Sequence, residues 1–220
     1  MTKKKTSAPA VAKGTVPRQT YHHGDLRSAL IEAAEQILTE DGIEAFSLRA
    51  AARRAGVSPA APAYHFGDAV GLLTEVAIVG FAELTRYLVE WTEQGGTDPI
   101  ARLRSQGQGY IRFALANRAR FQLMFRKDKL RPSEQLMAIS METFSHLQSA
   151  VCRAANIAER DIDVNTGAAI LASWSIVHGF AHLALDGQFN RMAEENGVDR
   201  FFDFYIPAVL AQLAPPAAVK

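Results

Sequence analysis

Apolar residues recur at three- and four-residue spacing along nearly the whole chain, and no stretch alternates convincingly between apolar and polar. That period predicts helices throughout and an all-α fold. Leu26, Leu30, Ala33, Ile37 and Leu38 share one face of a first helix, with Asp25 placed to cap its free amides and Gly42 to close its end. Ser47 starts a short helix over 47–55, Gly56-Val57-Ser58 makes a tight turn, and a second short helix opens at Pro59 and ends near Phe66. Asp68 caps a long helix to about Glu93. Gly95-Gly96 breaks the pattern, and Asp98-Pro99 restarts it with proline where a missing N–H costs nothing. Helices are expected over 100–116, over 118–126, and from Arg131-Pro132 to Asn156. An apolar helix over 162–185 is closed by Asp186-Gly187, and a last helix spans 198–213, where Pro207 kinks it or adjusts it locally. A three-helix unit thus precedes the long helix that begins near Ala69, and a larger helical body follows.

Composition adds little until it is read locally. The 220 residues are 48% hydrophobic and 21% charged, which is ordinary for a globular chain with a sizeable core. A formal net charge of +1 does not announce a nucleic-acid binder. The start is different: Lys3, Lys4, Lys5, Lys13 and Arg18 precede the first acid, Asp25, in a stretch without apolar period. Residues 1–20 therefore read as a flexible basic arm, either a solubilising tail or a contact for phosphates and the minor groove. No apolar core follows the lysines as in a signal peptide, and no run is read as long and apolar enough to cross a bilayer. A single cysteine, Cys152, lies in an apolar-periodic helix, which fits a core residue in the reducing cytoplasm.

The segment 46–58 has helix-turn-helix spacing. Ala51, Ala52 and Ala55 allow close helix approach, Gly56 supplies the turn, Val57 plugs the angle, and Ser58 can cap the second helix. The run Val57-Ser58-Pro59-Ala60-Ala61-Pro62-Ala63-Tyr64-His65-Phe66-Gly67-Asp68, followed by Leu72-Leu73, resembles the recognition-helix signature of TetR/AcrR transcriptional regulators. Tyr21-His22-His23-Gly24-Asp25-Leu26 resembles the start of helix one in a branch of that family. The resemblance implies a recognition helix in the major groove. It implies that Ser47 caps helix two and touches phosphate, and that Arg49 reaches DNA from the same helix. Ser58, Pro59, Ala60 and Ala61 would meet base edges, with apolar readout at the two alanines, for example against a thymine methyl. Tyr64 and His65 would contact phosphate. On side-chain chemistry alone, Tyr64 can equally pack with its hydroxyl in water, and His65 can satisfy carbonyls at the helix end. Two departures stand out: Ala63 replaces the usual aromatic and Ala69 the usual lysine. The lost anchoring could shift to the arm, Arg53 or Arg54.

Further on, Asn117-Arg118-Ala119-Arg120-Phe121-Gln122-Leu123-Met124-Phe125 is similar to a stretch of the same regulators, with alanine for the usual proline. Trp174-Ser175-Ile176-Val177-His178-Gly179-Phe180-Ala181 with Leu185-Asp186-Gly187 resembles the Trp-His-Gly pattern of one C-terminal domain class. The expected organisation is 1–20 arm, 21–68 helix-turn-helix DNA-binding domain, and 69–215 helical effector-binding and dimerisation domain. Phe113, Phe121, Met124, Met141, Phe144, Trp174 and His178 are candidates to line an apolar effector pocket, against the plainer reading of ordinary core. The last two long helices are apolar on most sides and would pair in a C2 homodimer. The expected partners are operator DNA, a second copy and a small, largely apolar effector, with no membrane, cofactor or metal. The implied function is a repressor released by its effector.

Other classes fit less well. His178 and His182, four apart, have metal-ligand spacing, but Gly179 stands where a zinc protease needs glutamate. Gly107-Gln108-Gly109 follows no strand, and no Gly-x-Ser-x-Gly elbow exists, so no enzyme or catalytic residue is expected. A helical dimeric adaptor with weakened DNA binding is the alternative that Ala63 and Ala69 suggest.

Overall fold

The computed structural model describes residues 23–213, with side chains from Leu26 onward. The basic arm, Tyr21 and His22 lie outside the described residues, as do the last two residues of the 69–215 body. Ten α-helices and no strand occur among the described residues.

Local chemistry explains most of the boundaries. α1 (His23–Glu40) contains Asp25 in its first turn, not ahead of it. Gly42, with φ 79°, then turns the chain into a short 3-10 segment, Ile43–Ala45. α2 (Leu48–Arg54) is capped by Ser47, whose Oγ accepts from the Ala50 N–H at 3.1 Å. α3 is Ala61–Phe66 and α4 is Ala69–Gln94, where Asp68 Oδ1 accepts from the Gly71 N–H at 2.8 Å. α5 (Pro99–Ala116) has Asp98 as its cap, and α6 (Arg118–Met124) follows directly. α7 (Glu134–Ala155) is capped by Ser133 and ends on Asn156 in the left-handed region. α8 (Val164–Leu185) is capped by Asp163, and α9 (Asn190–Asn196) and α10 (Val198–Leu210) complete the chain.

Several expectations need correction. The helix expected from Pro59 begins two residues later, because Pro59 and Ala60 form a turn. Ser58 does not cap it through its side chain; its carbonyl accepts from the Ala61 N–H at 3.0 Å. The helix expected from Arg131 begins at Glu134, since the Arg131 N–H is taken by Thr74 Oγ1 and Ser133 supplies the cap. α9 was not foreseen: it is polar and buries only Ala193. α8 does have the length and apolarity of a membrane span, contrary to the sequence reading. It packs against α5, α7 and α10 on one side and leaves the other side exposed.

The core has one large cluster shared by both parts and a smaller one joining Leu103 of α5 to Ala150 and Val151 of α7 and Ile170 of α8. The large cluster runs from Leu30, Ala34 and Ile37 of α1 through Leu72, Val76, Phe81 and Leu84 of α4 to Phe113, Phe121, Val177, Ile206 and Leu210. Each fully buried leucine or phenylalanine contributes about 1.5–3 kcal/mol relative to exposure. α4 therefore belongs to both the three-helix unit and the body, packing on α1 and α3 at its start and on α5, α6 and α7 beyond.

Gly71 marks the tightest joint. A Cβ there would lie 2.0 Å from the Phe66 carbonyl oxygen. Alanine ordinarily gains about 1 kcal/mol over glycine inside a helix. The sign reverses here: Gly71→Ala is expected to destabilise by about 1–3 kcal/mol through overpacking. A lower urea midpoint at unchanged slope is the readout, and a raised midpoint would contradict the close contact.

Candidate nucleic-acid interface and apolar cavity

α3 is held by two inward side chains four residues apart, Pro62 and Phe66, both buried. Phe66 also lies under the Arg27 guanidinium, 5.6 Å from the ring centroid, and Arg27 pairs with Glu75 of α4. With those two sides anchored, Ser58, Pro59, Ala60, Ala63 and Tyr64 face solvent, and Ala61 and His65 are half-buried. Tyr64 is 84% exposed and touches the His65 ring edge-on. On α2, Ser47 and Arg49 are exposed. The eight residues singled out by sequence thus stand on the two short helices and the turn between them, each at least partly open to solvent. Arg49 and Arg53 make no ion pair among the described residues, whereas Arg54 is tied to Glu40 at 2.5 Å and to Asp41 at 3.6 Å. Of the two arginines named as substitutes for the anchoring missing at Ala63 and Ala69, Arg54 is thus engaged with the end of α1.

A cavity of about 1040 Å³ opens between α4, α5, α7 and α8. Leu84 and Leu88 of α4, Tyr110 of α5, Phe144 of α7 and Trp174 of α8 form much of its wall. Of the sequence-expected residues, Met124, Met141, Phe144 and Trp174 line it. Phe113 and Phe121 do not: both have no exposed surface and pack against each other in the core. Leu103, Gln106, Gly107 and Tyr110 form the α5 stripe that faces the cavity, and Phe113 lies past its end against Tyr87. His178 stands behind the wall, with Nδ1 2.8 Å from Tyr110 Oη and its ring beside Trp174.

Most of the polar side chains in the wall are committed to partners within the protein. Gln106 Nε2 donates to Thr92 Oγ1 at 3.1 Å and to the His146 carbonyl at 3.3 Å. Thr143 Oγ1 shares a hydrogen bond with Thr85 Oγ1 at 2.8 Å. Lys127 and Glu134, both exposed, are the charged side chains on the lining. Sequence reasoning missed Gln106, Tyr110 and the α4 leucines, because their helical phase toward a cavity is indistinguishable from phase toward a core.

Burial raises the Tyr110 phenol well above its usual range, and a hydrogen bond with Trp174 opposes only part of that. His178 is pushed down to about 4, first by burial and then by the neighbouring His182, whose ring centroid is 4.4 Å away. At neutral pH a protonated Tyr110 can therefore donate to an unprotonated Nδ1. Among the described residues no group of three His, Cys, Asp or Glu side chains is placed to hold a metal ion.

Outside the cavity, α8 carries an exposed stripe of Ala168, Leu171, Ala172 and Ser175, continued by Leu183. A Cβ at Gly167 or Gly179 would meet no atom within 4 Å, so both glycines border open space. Phe204 of α10 is 70% exposed.

This is a helix-turn-helix protein whose second short helix, α3, is wedged against a helical body containing an apolar cavity. Residues 30–76 match the model of bacterial regulatory proteins of the tetR family, and residues 103–209 match the tetracyclin repressor-like C-terminal domain. A protein of unknown function from Rhodococcus sp. RHA1 has a similar structure, with 32% identity and a TM-score of 0.71, covering 90% of this chain and 100% of its own. The TetR family transcriptional regulator PfmR from Thermus thermophilus shares the fold at 21% identity and a TM-score of 0.61, over 88% of this chain and 98% of its own. The fatty acid degradation regulator FadR from Bacillus halodurans does so at 14% identity and a TM-score of 0.59, again over 88% and 98%. No curated protein matches the chain in sequence. The chain belongs to the TetR family and is a ligand-responsive, DNA-binding transcriptional regulator.

His178 gives a pH prediction for the body. Its folded pKa lies below the ordinary 6.5, so between about 6.5 and about 4 the unfolded chain binds the proton and the folded chain does not. Stability is thus expected to fall as pH drops through that window. In His178→Phe this part of the fall should disappear from urea midpoints measured at successive pH values. An unchanged profile would show that His178 is not the group responsible.

Proposed function

We propose that the chain is a repressor that leaves its operator when a small, largely apolar effector fills the cavity. The division of labour follows the sequence reading: 21–68 reads DNA, and 69–215 binds effector and dimerises. The observation that carries this reading is the juxtaposition of an apolar cavity of about 1040 Å³ with a helix, α4, whose first turn abuts the reading helix.

In this reading Ser58, Pro59, Ala60 and Ala61 meet base edges, while Ser47, Arg49, Tyr64 and His65 fix the register on phosphates. The alanines contribute methyl contact only, which favours thymine methyl groups over hydrogen-bonded readout. Met124, Met141, Phe144 and Trp174 contact the effector, with Tyr110 and Gln106 as polar features of the wall. A second copy docks on the exposed faces of α8 and α10, whose apolar and small residues lack a partner within the protomer. Twofold pairing sets two reading helices roughly 34–36 Å apart, one DNA turn. The setting is the cytoplasm, where the operator is. Effector binding acts by favouring a dimer in which that spacing is lost, which requires different affinity for the two states.

The test is a titration of DNA flanking the protein's own gene at several salt concentrations. Binding should weaken steeply with salt, and Arg49→Ala should cost about 1–3 kcal/mol with the dimer intact by sedimentation. The log–log salt slope should drop by about one for each phosphate-contacting cation removed. A variant at Arg49 that binds like the parent would remove that residue from the interface.

A further inference from the structure

The segment between α6 and α7 belongs to two places at once. Leu130 and Pro132 both line the cavity, and so do Ser133 and Glu134 at the start of α7. Arg131, between them, is absent from the lining and reaches the opposite way, to the first turns of α4. Its backbone N–H donates to Thr74 Oγ1 at 2.9 Å. The same hydroxyl donates to the Val70 carbonyl at 2.7 Å, so its one proton is used and the Arg131 N–H fills an acceptor site. Its guanidinium meets Asp68 Oδ2 at 2.5 Å.

Asp68 is a critical partner because its other oxygen, Oδ1, caps α4 through Gly71. Its carboxyl is held below the usual range first by the Gly71 N–H, with Arg131 acting in the same direction. Asp68 also follows the reading helix by two residues, and its own N–H donates to the Phe66 carbonyl at 3.0 Å. That same carbonyl is the atom Gly71 must leave room for. One short path of hydrogen bonds therefore connects the cavity wall to the last residue of α3: Arg131, Asp68, Phe66. A second tie, from Arg120 of α6 to Glu35 of α1 and Glu83 of α4, holds the three-helix unit to the body. Arg131 differs in that its chain neighbours on both sides form the cavity surface.

We propose that Arg131 is the positioning residue through which occupancy of the cavity is transmitted to the reading helix. When the cavity is empty, its guanidinium and its N–H hold the first turns of α4 at Asp68 and Thr74. An occupant pressing on Leu130 and Pro132 moves Arg131 with them and releases Asp68, and with it the end of α3. The pair is half exposed on both sides and adds little net stability, so its role is in geometry and not in holding the fold together. This inference rests on the proposed effector function of the cavity.

A tethered occupant tests it without knowledge of the natural effector. Ser140 lines the cavity on α7 and is replaced by cysteine, then alkylated with N-benzylmaleimide. The sole native cysteine, Cys152, is buried and its thiol is raised, first by burial and then by Glu159, so the parent chain treated alike is the control. Affinity for DNA flanking the gene is measured with and without the label. In Ser140→Cys the label should weaken binding by roughly 5- to 150-fold, the usual range of coupling between sites. In the same background, Arg131→Ala should bring labelled and unlabelled affinities within about twofold of each other, near the limit of additivity. Asp68→Asn, which can still accept from the Gly71 N–H, should do the same, and Arg131→Lys should keep part of the effect. Melting temperatures should stay close to the parent's, separating lost coupling from lost fold. If the label weakens binding as much in Arg131→Ala and Asp68→Asn as in Ser140→Cys alone, the assignment of Arg131 is overturned. If the label has no effect in Ser140→Cys, the effector reading of the cavity falls, and Arg131 falls with it.

Discussion

The apolar seam along α4 is the interaction on which everything else in the molecule depends. At 26 residues and about 39 Å, the helix is long enough to serve two bodies. Leu72, Leu73 and Val76 close the core of the three-helix unit, while Phe81, Leu84 and Leu88 do the same for the larger body. Because these residues form one cluster with no polar break, the reading unit has no separate core on which to swing. Any rearrangement must tilt or slide α4 as a packed element, and close-packed interiors favour a few discrete arrangements over continuous bending.

The cavity is the counterpart of that tight seam. Phe113, Phe121 and Ile111 are packed without any exposed surface only a turn or two from a space of about 1040 Å³. Dense packing beside open space concentrates compliance in the cavity walls. The methionines of α7, Met137 and Met141, are exposed at 59% and 64%, and their unbranched side chains can adapt to differently shaped contents. The opposite wall is stiffer. There Tyr110 and His178 are locked together by a hydrogen bond, and Trp174 packs against both His178 and Phe144.

Much of this was legible from residue types alone. Ser47, Asp68 and Asp98 were read correctly as helix starts, because a short oxygen-bearing side chain ahead of an apolar period has few other uses. The turn at Gly56 and the small residues Ala51 and Ala52 were equally readable, since their demands are local. Ser58 was misread: two prolines within five residues shift the helix start, and the side chain lost its amide. The cavity was readable only in part. Met124, Met141, Phe144 and Trp174 line it, yet Phe113 and Phe121 carry the same chemistry and pack solidly. Composition cannot tell a wall from a core; only the tertiary phase of each helix can. The ion pairs of Arg120 with Glu35 and of Arg131 with Asp68 were invisible for the same reason, as the partners are 85 and 63 residues away.

The two prolines of the reading segment have a consequence for how it meets a partner. Pro59 is exposed and Pro62 buried, and each fixes its own φ near −65°. With Phe66 clamped and Gly71 leaving no slack behind it, the outward surface is set before any encounter. A surface already frozen surrenders little motional freedom when it docks, so modest contacts go further than they would on a supple loop. The same rigidity is unforgiving: such a surface cannot mould itself to a groove of the wrong width, and discrimination by shape follows from stiffness as much as from chemistry.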